Sequence, residues 1–345
     1  MRIGILTSGG DTPGMNSVIR AAFIQCQNLN HELIGFKHGW KGLINNITQE
    51  IPIDIIDQKD QGGTLLGSAR FNPLNITDHM SKIKNTLENN NIDCIIAIGG
   101  DDTLGVANVL HQNNIPIIGV PKTIDNDLES TDYTFGFNTA VTTATNAIDQ
   151  LKSTAKSHER IIVVQIMGRY SGWITLHSGI AGNAHVILIP EYPLKLNEIY
   201  HLIQRRFNDK NKWAIIVVSE AYEIPDDEKS NHNITQEKDE YGHIQLEKLE
   251  IAKKIATKIK QDLGFDTRSV TLGHTQRGGS PSSFDRVLST QFGLFAIKLA
   301  HESKFGTMTS LKGSKIISVK LKDAISKLKK VDLESWAQAK EIMMI

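Results

Sequence analysis

Short apolar runs recur along this chain. Each ends in a loop rich in glycine or aspartate, and most are followed by a segment with apolar residues at helical spacing. Ile3 to Leu6, Cys94 to Ile98 and Ile115 to Val120 have the length and composition of buried strands. Met15 to Gln27, Asp78 to Asn89 and Leu104 to Gln112 each carry an apolar helical face. A weaker strand pattern spans Leu33 to Lys37, and His38 to Gly42, with Trp40, reads as a turn. Strands alternating with helices predict a mostly parallel sheet covered by helices. After Phe137 the pattern restarts with a long helix, Thr139 to Ser157, and a strand, Ile161 to Met167, which marks a second α/β domain. Val186 to Ile189, Ala214 to Ser219 and Ser269 to Leu272 read as further strands. Helices are predicted from Trp173 to Ala181, from Leu246 to Leu263 and from Ser283 to His301. Residues 223–245 read as an exposed polar insertion, and the residues after His301 as a basic tail without legible chemistry.

The loops at the strand ends hold the candidate chemistry, because ligands of open α/β sheets bind outside the carboxyl ends of the strands. The first, Thr7 to Gly14, is T-S-G-G-D-T-P-G, and it opens a helix. Backbone N–H groups there, Gly10 included, and the helix N-terminus suit an anion. It is neither a P-loop nor the dinucleotide fingerprint. A second glycine-rich loop, Gly62 to Arg70, ends in an arginine that is either a phosphate ligand or a surface ion-pair partner. The third, Gly99-Gly100-Asp101-Asp102-Thr103, carries adjacent acids. One of them suffices to cap the following helix, which leaves the other for a hard cation such as Mg²⁺. The fourth, Gly119 to Leu128, reads G-V-P-K-T-I-D-N-D-L. It places Lys122 and Thr123 before Asp125 and Asp127, which share a side if the chain is extended there. An Asx-rich turn closing on its own backbone is the alternative reading. In the second half, Met167-Gly168-Arg169, Glu220 and the cationic loop Gly273 to Pro281, with His274 and Arg277, occupy further strand ends. His177, four residues past Trp173, reads as a packed interior side chain.

The chain has 345 residues, 40% of them hydrophobic, enough for two domains with sizeable cores. Lys plus Arg equals Asp plus Glu at 38 each, so no global field points to nucleic acid. Charged ligands must then be met by local clusters. Cys26 and Cys94 lie in apolar patterns and read as core thiols rather than a disulfide. No run approaches the roughly 20 apolar residues of a membrane span, and the first residues lack a signal peptide's apolar core, so a cytoplasmic protein is expected. Acids able to hold Mg²⁺ or accept a hydroxyl proton, together with dispersed Arg and His, are the parts that phosphoryl transfer needs.

Six motifs make that chemistry specific. G-G-D-T-P-G-M-N (Gly9 to Asn16), G-S-A-R-F (Gly67 to Phe71), G-G-D-D-T (Gly99 to Thr103), P-K-T-I-D-N-D (Pro121 to Asp127), M-G-R-Y-S-G (Met167 to Gly172) and G-H-T-Q-R-G-G-S-P (Gly273 to Pro281) occur in this order. The chain thereby resembles the phosphofructokinase family along nearly its whole length. The resemblance implies two Rossmann-like α/β domains with mostly parallel sheets and the active site in the cleft between them. Residues 1–136 plus 276–326 would bind the phosphoryl donor and Mg²⁺. Residues 137–275 plus 327–345 would bind the sugar phosphate, fructose 6-phosphate.

By the same resemblance Asp125 accepts the proton of the sugar 1-hydroxyl, Thr123 and Asp127 orient it, and Asp101 holds Mg²⁺. Gly10, Arg70, Asp102, Thr103 and Lys122 would meet the donor. Arg160, Met167, Gly168, Arg169, Glu220, Arg268, His274 and Arg277 would meet the sugar phosphate, together with Thr123 and Asp125. Arg160 and Arg268 would reach in from a neighbouring subunit, which implies a homodimer or homotetramer. Nucleic acid and membrane are not expected partners. Asp102 and Lys122 stand where ATP-dependent members typically have glycine, and the pair resembles the pyrophosphate-dependent branch. Use of ATP, alone or beside pyrophosphate, is the alternative. A regulatory homologue that binds sugar phosphate without turnover is the alternative outside catalysis, and the joint presence of Asp101, Asp125 and Asp127 argues against it.

Overall fold

The computed structural model describes residues 1–57, 61–208, 212–225, 240–244 and 246–343. In chain order the first elements are β1 (Arg2–Thr7), α1 (Met15–Asn28), β2 (Glu32–Phe36), α2 (Trp40–Ile44), β3 (Thr48–Glu50), α3 (His79–Asn89), β4 (Cys94–Gly99), α4 (Asp101–Gln112), β5 (Ile117–Thr123) and β6 (Phe135–Gly136). Then come α5 (Phe137–Ser157), β7 (Ile161–Ile166), α6 (Trp173–Ala181), β8 (Val186–Leu188), α7 (Leu196–Asn208), β9 (Ala214–Ser219), α8 (Ile251–Leu263) and β10 (Thr267–Thr271). Last are α9 (Ser283–His301), β11 (Thr307–Lys312), β12 (Lys315–Lys320), α10 (Leu321–Ala324) and α11 (Leu333–Met343). The chain divides into two compact α/β units, Met1–Thr139 with Arg277–Leu328, and Ala140–Gln276 with Lys329–Ile345.

The first unit is built on a sheet of order β12-β11-β5-β4-β1-β2-β3, with β6 pairing the end of β5. β11, β5, β4, β1 and β2 are parallel, and only the edge strands β12 and β3 run antiparallel. The parallel strands are apolar throughout because helices cover both faces of such a sheet. Ile3, Ile5, Ile96, Ile98 and Val120 meet Met15, Val18 and Ile19 of α1 and Phe292, Ala296 and Ile297 of α9 in one buried core. Cys26 and Cys94 lie in that core as free thiols, and burial pushes both up to about 12. Pro121 sits inside β5 at no cost in pairing. Its neighbour β11 pairs only as far as Gly119, and β6 pairs only from Lys122.

The second unit has a four-stranded, all-parallel sheet of order β10-β7-β9-β8. β7 and β9 are buried along their whole length. Its C-terminal segment is fastened by Trp173, whose indole N–H donates to the Lys329 carbonyl at 3.0 Å, and by Tyr192 stacked on Trp336.

The expectation of two α/β units with mostly parallel sheets holds, and several local expectations change. The basic tail contains β11 and β12, which extend the first sheet; lysines on the exposed edge strand conceal its period. Trp40 is fully buried and opens α2 rather than lying in a turn. The helix expected from Leu246 starts only at Ile251, because Glu250 adopts left-handed backbone (φ 46°) and separates it from a 3₁₀ turn, Leu246–Leu249. α7 had no counterpart in the reading of the sequence. Most of the insertion expected at 223–245 lies outside the described residues. Among the described residues no helix is long and apolar enough to cross a membrane.

Candidate active site

Because β1, β4 and β5 are adjacent and parallel, their carboxyl-terminal loops emerge side by side. The registers place Thr7 beside Ile98 and Gly99 beside Pro121. The loops Ser8–Pro13, Gly100–Thr103 and Lys122–Asp127 therefore share one end of the first unit's sheet. The loop Thr64–Ala69 is laid on the first of them: Thr7 donates to the Gly67 carbonyl (2.8 Å), Gly9 N–H to the Ala69 carbonyl (3.1 Å) and Ser68 Oγ to the Gly9 carbonyl (2.6 Å). Arg70, next along, is exposed.

Lys122 lies at the centre of this end, 3% exposed. Its Nζ donates to the Gly10 carbonyl. A Cβ on Gly9 would stand 3.4 Å from that nitrogen and 3.6 Å from Thr103 Oγ1, and one on Gly10 would stand 2.8 Å from a guanidinium nitrogen of Arg277. Glycine at position 10 thus makes room for the Arg277 guanidinium, while Gly9 is called for by its left-handed backbone (φ 82°) rather than by the lysine and threonine beside it. Arg277 also donates to the Asp11 carbonyl at 3.3 Å. The residue expected at the sugar phosphate is therefore held, within its own unit, against the loop expected at the donor. Burial lowers Lys122 to about 7, and Arg277 pushes the same way; Asp125, Asp11 and Asp101 oppose.

Asp101 and Asp102 are half-buried in the first turn of α4, whose N-cap is Gly100. Neither acid is the N-cap residue, so the capping alternative is not realised. Both instead stand at the positive end of the helix dipole. Two neighbouring carboxylates are hard oxygen donors and suit Mg²⁺. Thr103 is buried and folds back over Gly99.

Beyond β5 the chain turns. Thr123 Oγ1 accepts from the Asp125 N–H at 3.0 Å and donates to Asp125 Oδ2 at 3.2 Å. Asn126 is left-handed (φ 52°), so the chain turns between Asp125 and Asp127 instead of running extended. Thr123, Asp125 and Asp127 are 8%, 4% and 2% exposed. Asn126, unmarked by the reading of the sequence, closes the loop: its Oδ1 accepts from Thr134 N–H at 3.0 Å and its Nδ2 donates to the Asp132 carbonyl at 3.4 Å. An asparagine inside a D-N-D turn was the available signal.

In the second unit β10, β7 and β9 are neighbours, so Met167–Gly172, Glu220 and Gly273–Gln276 begin at one end of that sheet. Glu220 Oε1 accepts the N–H groups of Gly168 (3.3 Å) and Arg169 (2.9 Å). Arg169 is left-handed (φ 52°), a conformation this carboxylate helps hold. Met167 is buried at the carboxyl end of β7, while His274 is exposed in a 3₁₀ turn. Arg160 and Arg268 are not brought to this end. Arg160 precedes β7 and Arg268 is the second residue of β10, and both pair with Asp266 at 3.4 and 2.8 Å. His177 is mostly buried beside Trp173, which fits the packed side chain expected of it.

Strand ends lined by acids in one unit, and a loop of backbone donors fixed by a carboxylate in the other, place the chain among α/β proteins whose strand-end loops carry the chemistry. A family profile described as phosphofructokinase matches residues 2–300. The chain is 46% identical over 341 residues to a pyrophosphate--fructose 6-phosphate 1-phosphotransferase of Amycolatopsis methanolica, covering 98% of each. It is 43% identical over 351 residues to an ATP-dependent 6-phosphofructokinase 3 of Streptomyces coelicolor, covering 99% of this chain and 100% of the other. Among solved structures, phosphofructokinase from Saccharomyces cerevisiae superposes with a TM-score of 0.80 at 27% identity, over 99% of this chain and 46% of that longer one. The chain belongs to the phosphofructokinase family.

Proposed function

We propose that this chain transfers a phosphoryl group from pyrophosphate to the 1-hydroxyl of fructose 6-phosphate, giving fructose 1,6-bisphosphate. Family membership supports the phosphofructokinase reaction. The donor assignment is carried by one observation, the buried Lys122 packed against the Gly9–Gly10 loop, with Asp102 in the first turn of α4 at the same end of the sheet. A carboxylate at the place of an ATP α-phosphate repels it: two like charges about 4 Å apart at an effective dielectric near 20 cost roughly 4 kcal/mol. That corresponds to about a thousandfold. Pyrophosphate has no such group, and a protonated Lys122 neutralises charge on the phosphoryl being transferred.

In this reading Asp125 takes the proton of the attacking hydroxyl, with Thr123 fixing its carboxylate and Asp127 orienting the sugar. Asp101 would hold Mg²⁺, which would supply positive charge to the donor phosphates when bound. Gly10, Thr103 and Arg70 meet the donor; Met167, Gly168, Arg169, Glu220, His274 and Arg277 meet the sugar phosphate. Arg160 and Arg268 act on a neighbouring subunit's substrate, in a homo-oligomer. The second reading is an ATP-dependent enzyme, favoured by the name of the relative from Streptomyces coelicolor.

Phosphorylation of fructose 6-phosphate with Mg²⁺ and either donor separates the readings. Activity with pyrophosphate alone is expected, and it should be lost when Asp102→Gly and Lys122→Gly are combined. Equal or better activity with ATP in the unaltered chain overturns the donor assignment and leaves the family standing.

A further inference from the structure

The Met167–Gly172 loop is gripped at both ends by carboxylates of the second unit. Glu220 holds the N–H groups of Gly168 and Arg169 at its start. Glu191 holds its other end, where Oε1 accepts the Gly172 N–H at 2.9 Å. Gly172 is the N-cap of α6, and a Cβ there would stand 2.5 Å from Ile189 and 2.7 Å from Glu191 Oε2, so the carboxylate is seated directly on the loop's backbone.

The same Oε1 also accepts the Val331 N–H at 3.1 Å. Val331 belongs to the C-terminal segment, which is anchored on either side by the Trp173–Lys329 bond and the Tyr192–Trp336 stack. Farther on, Met343 Sδ accepts the Ile187 N–H at 3.1 Å. One oxygen therefore joins the loop to this segment, while Oε2 is buried with no hydrogen-bond partner among the described residues. A carboxylate with one oxygen doubly engaged and the other left dry is costly as mere packing, since an apolar side chain fills such a place without that penalty.

We propose that Glu191 is a positioning residue for the sugar phosphate: through its shared oxygen the C-terminal segment fixes the Met167–Gly172 loop, and with it the affinity for fructose 6-phosphate. This rests on the reading that Gly168 and Arg169 meet the sugar phosphate. Glu191 touches no substrate in it. The donor residues all belong to the first unit, so the effect should be confined to one substrate.

The test is steady-state kinetics of the full chain with Mg²⁺, each substrate varied at saturating levels of the other. Glu191→Ala should raise the KM for fructose 6-phosphate on the order of tenfold, with kcat and the donor KM changed by no more than about twofold. Glu191→Gln, which keeps an acceptor oxygen, should restore most of the loss. Val331→Pro removes the segment's N–H, with a fixed φ and a changed buried side chain besides, and should raise the same KM with Glu191 in place. It also decides the matter if Glu191→Ala does not fold. An unchanged KM for fructose 6-phosphate in the folded variants, or equal rises for both substrates, overturns the proposal. Arg169→Ala separates the levels. If it leaves that KM unchanged, the underlying reading fails; if it raises the KM while the Glu191 and Val331 variants do not, only this inference fails.

Discussion

Lys122 donates its Nζ hydrogen bond to the backbone carbonyl of Gly10, from a position almost wholly out of water. Burial, with Arg277 nearby, lowers its pKa to about 7, so the ammonium is present below neutrality and lost as pH rises through that value. Since kcat/KM reports groups of the free enzyme, kcat/KM for pyrophosphate should fall roughly tenfold per pH unit above about 7. Lys122→Met should be slow at every pH and lack this limb. A profile with the limb intact in Lys122→Met would assign it to another group.

Asn126 stands between the two acids of the D-N-D turn, and its side chain ties the turn to Asp132 and Thr134. Thr134 Oγ1 in turn donates to the Thr123 carbonyl at 2.7 Å, so the loop is latched to the strand end that carries Thr123. Asn126→Gly keeps the left-handed backbone and deletes both side-chain bonds. If Asp125 is the base and pyrophosphate the donor, as proposed, the expected result is a fall in kcat on the order of tenfold with the KM for pyrophosphate unchanged, because misplacing a positioned base costs rate. Asn126→Ala adds the penalty of left-handed backbone, roughly 1–2 kcal/mol, and should also lower the Tm. Equal kcat in Asn126→Gly and the unaltered chain would show that the latch does not place Asp125.

The sheets were legible because β1, β4, β5, β7 and β9 are buried on both faces and so read as unbroken apolar runs. The strand-end loops followed from that, and with them the grouping of Gly10, Asp101, Lys122 and Asp125 in one unit. Other features were not legible. β12 is an exposed edge with lysine at both ends, so its pattern resembles that of a surface tail. The state of Lys122 depends on what encloses it, and a lysine's letters are the same whether it is solvated or dry. Asp101 entered α4 itself, with Gly100 as N-cap, because the preceding glycine takes the extended backbone that a cap requires. Glu191 acts through the backbone N–H groups of Gly172 and Val331, distant in sequence, which no short motif encodes.

Asp285, fully buried in α9, joins the starts of two helices. Its Oδ2 accepts the Thr139 N–H at 2.8 Å and the Thr139 hydroxyl at 2.5 Å at the start of α5, while Ser282 Oγ caps α9 by accepting the Asp285 N–H at 3.3 Å. Burial raises its pKa, and the Thr139 hydroxyl and amide offset part of the rise. Asp285→Ala leaves these donors buried without their acceptor and should cost about 2–4 kcal/mol. Thr139→Val keeps the backbone bond and removes the hydroxyl, which also accepts the Ser282 N–H at 3.0 Å; it should cost less, though the carboxylate and that N–H are then each left with one bond fewer. Denaturant unfolding with an unchanged m-value measures both, and equal losses would mean that the hydroxyl carries the whole link.

Arg160 and Arg268 both pair with Asp266, at the end of the second unit's sheet opposite to Gly168 and Glu220. At about 3.3 Å per residue, Arg160 lies roughly 20 Å along β7 from Met167, too far for both to hold one phosphate within a single chain. If these arginines serve a neighbouring subunit, then chains carrying Asp125→Asn and chains carrying Arg160→Ala with Arg268→Ala should each be inactive. Mixed and allowed to exchange subunits, they should recover activity. A hybrid pair contains one site with both an intact base and intact arginines, so an equal mixture should reach about a quarter of the unaltered activity. Activity measured before and after exchange, with the oligomer followed by sedimentation, provides the check. Hybrids that form but stay inactive would show that the arginines do not serve a neighbouring subunit, and that the pairing with Asp266 is structural, its loss disabling the chain that carries it.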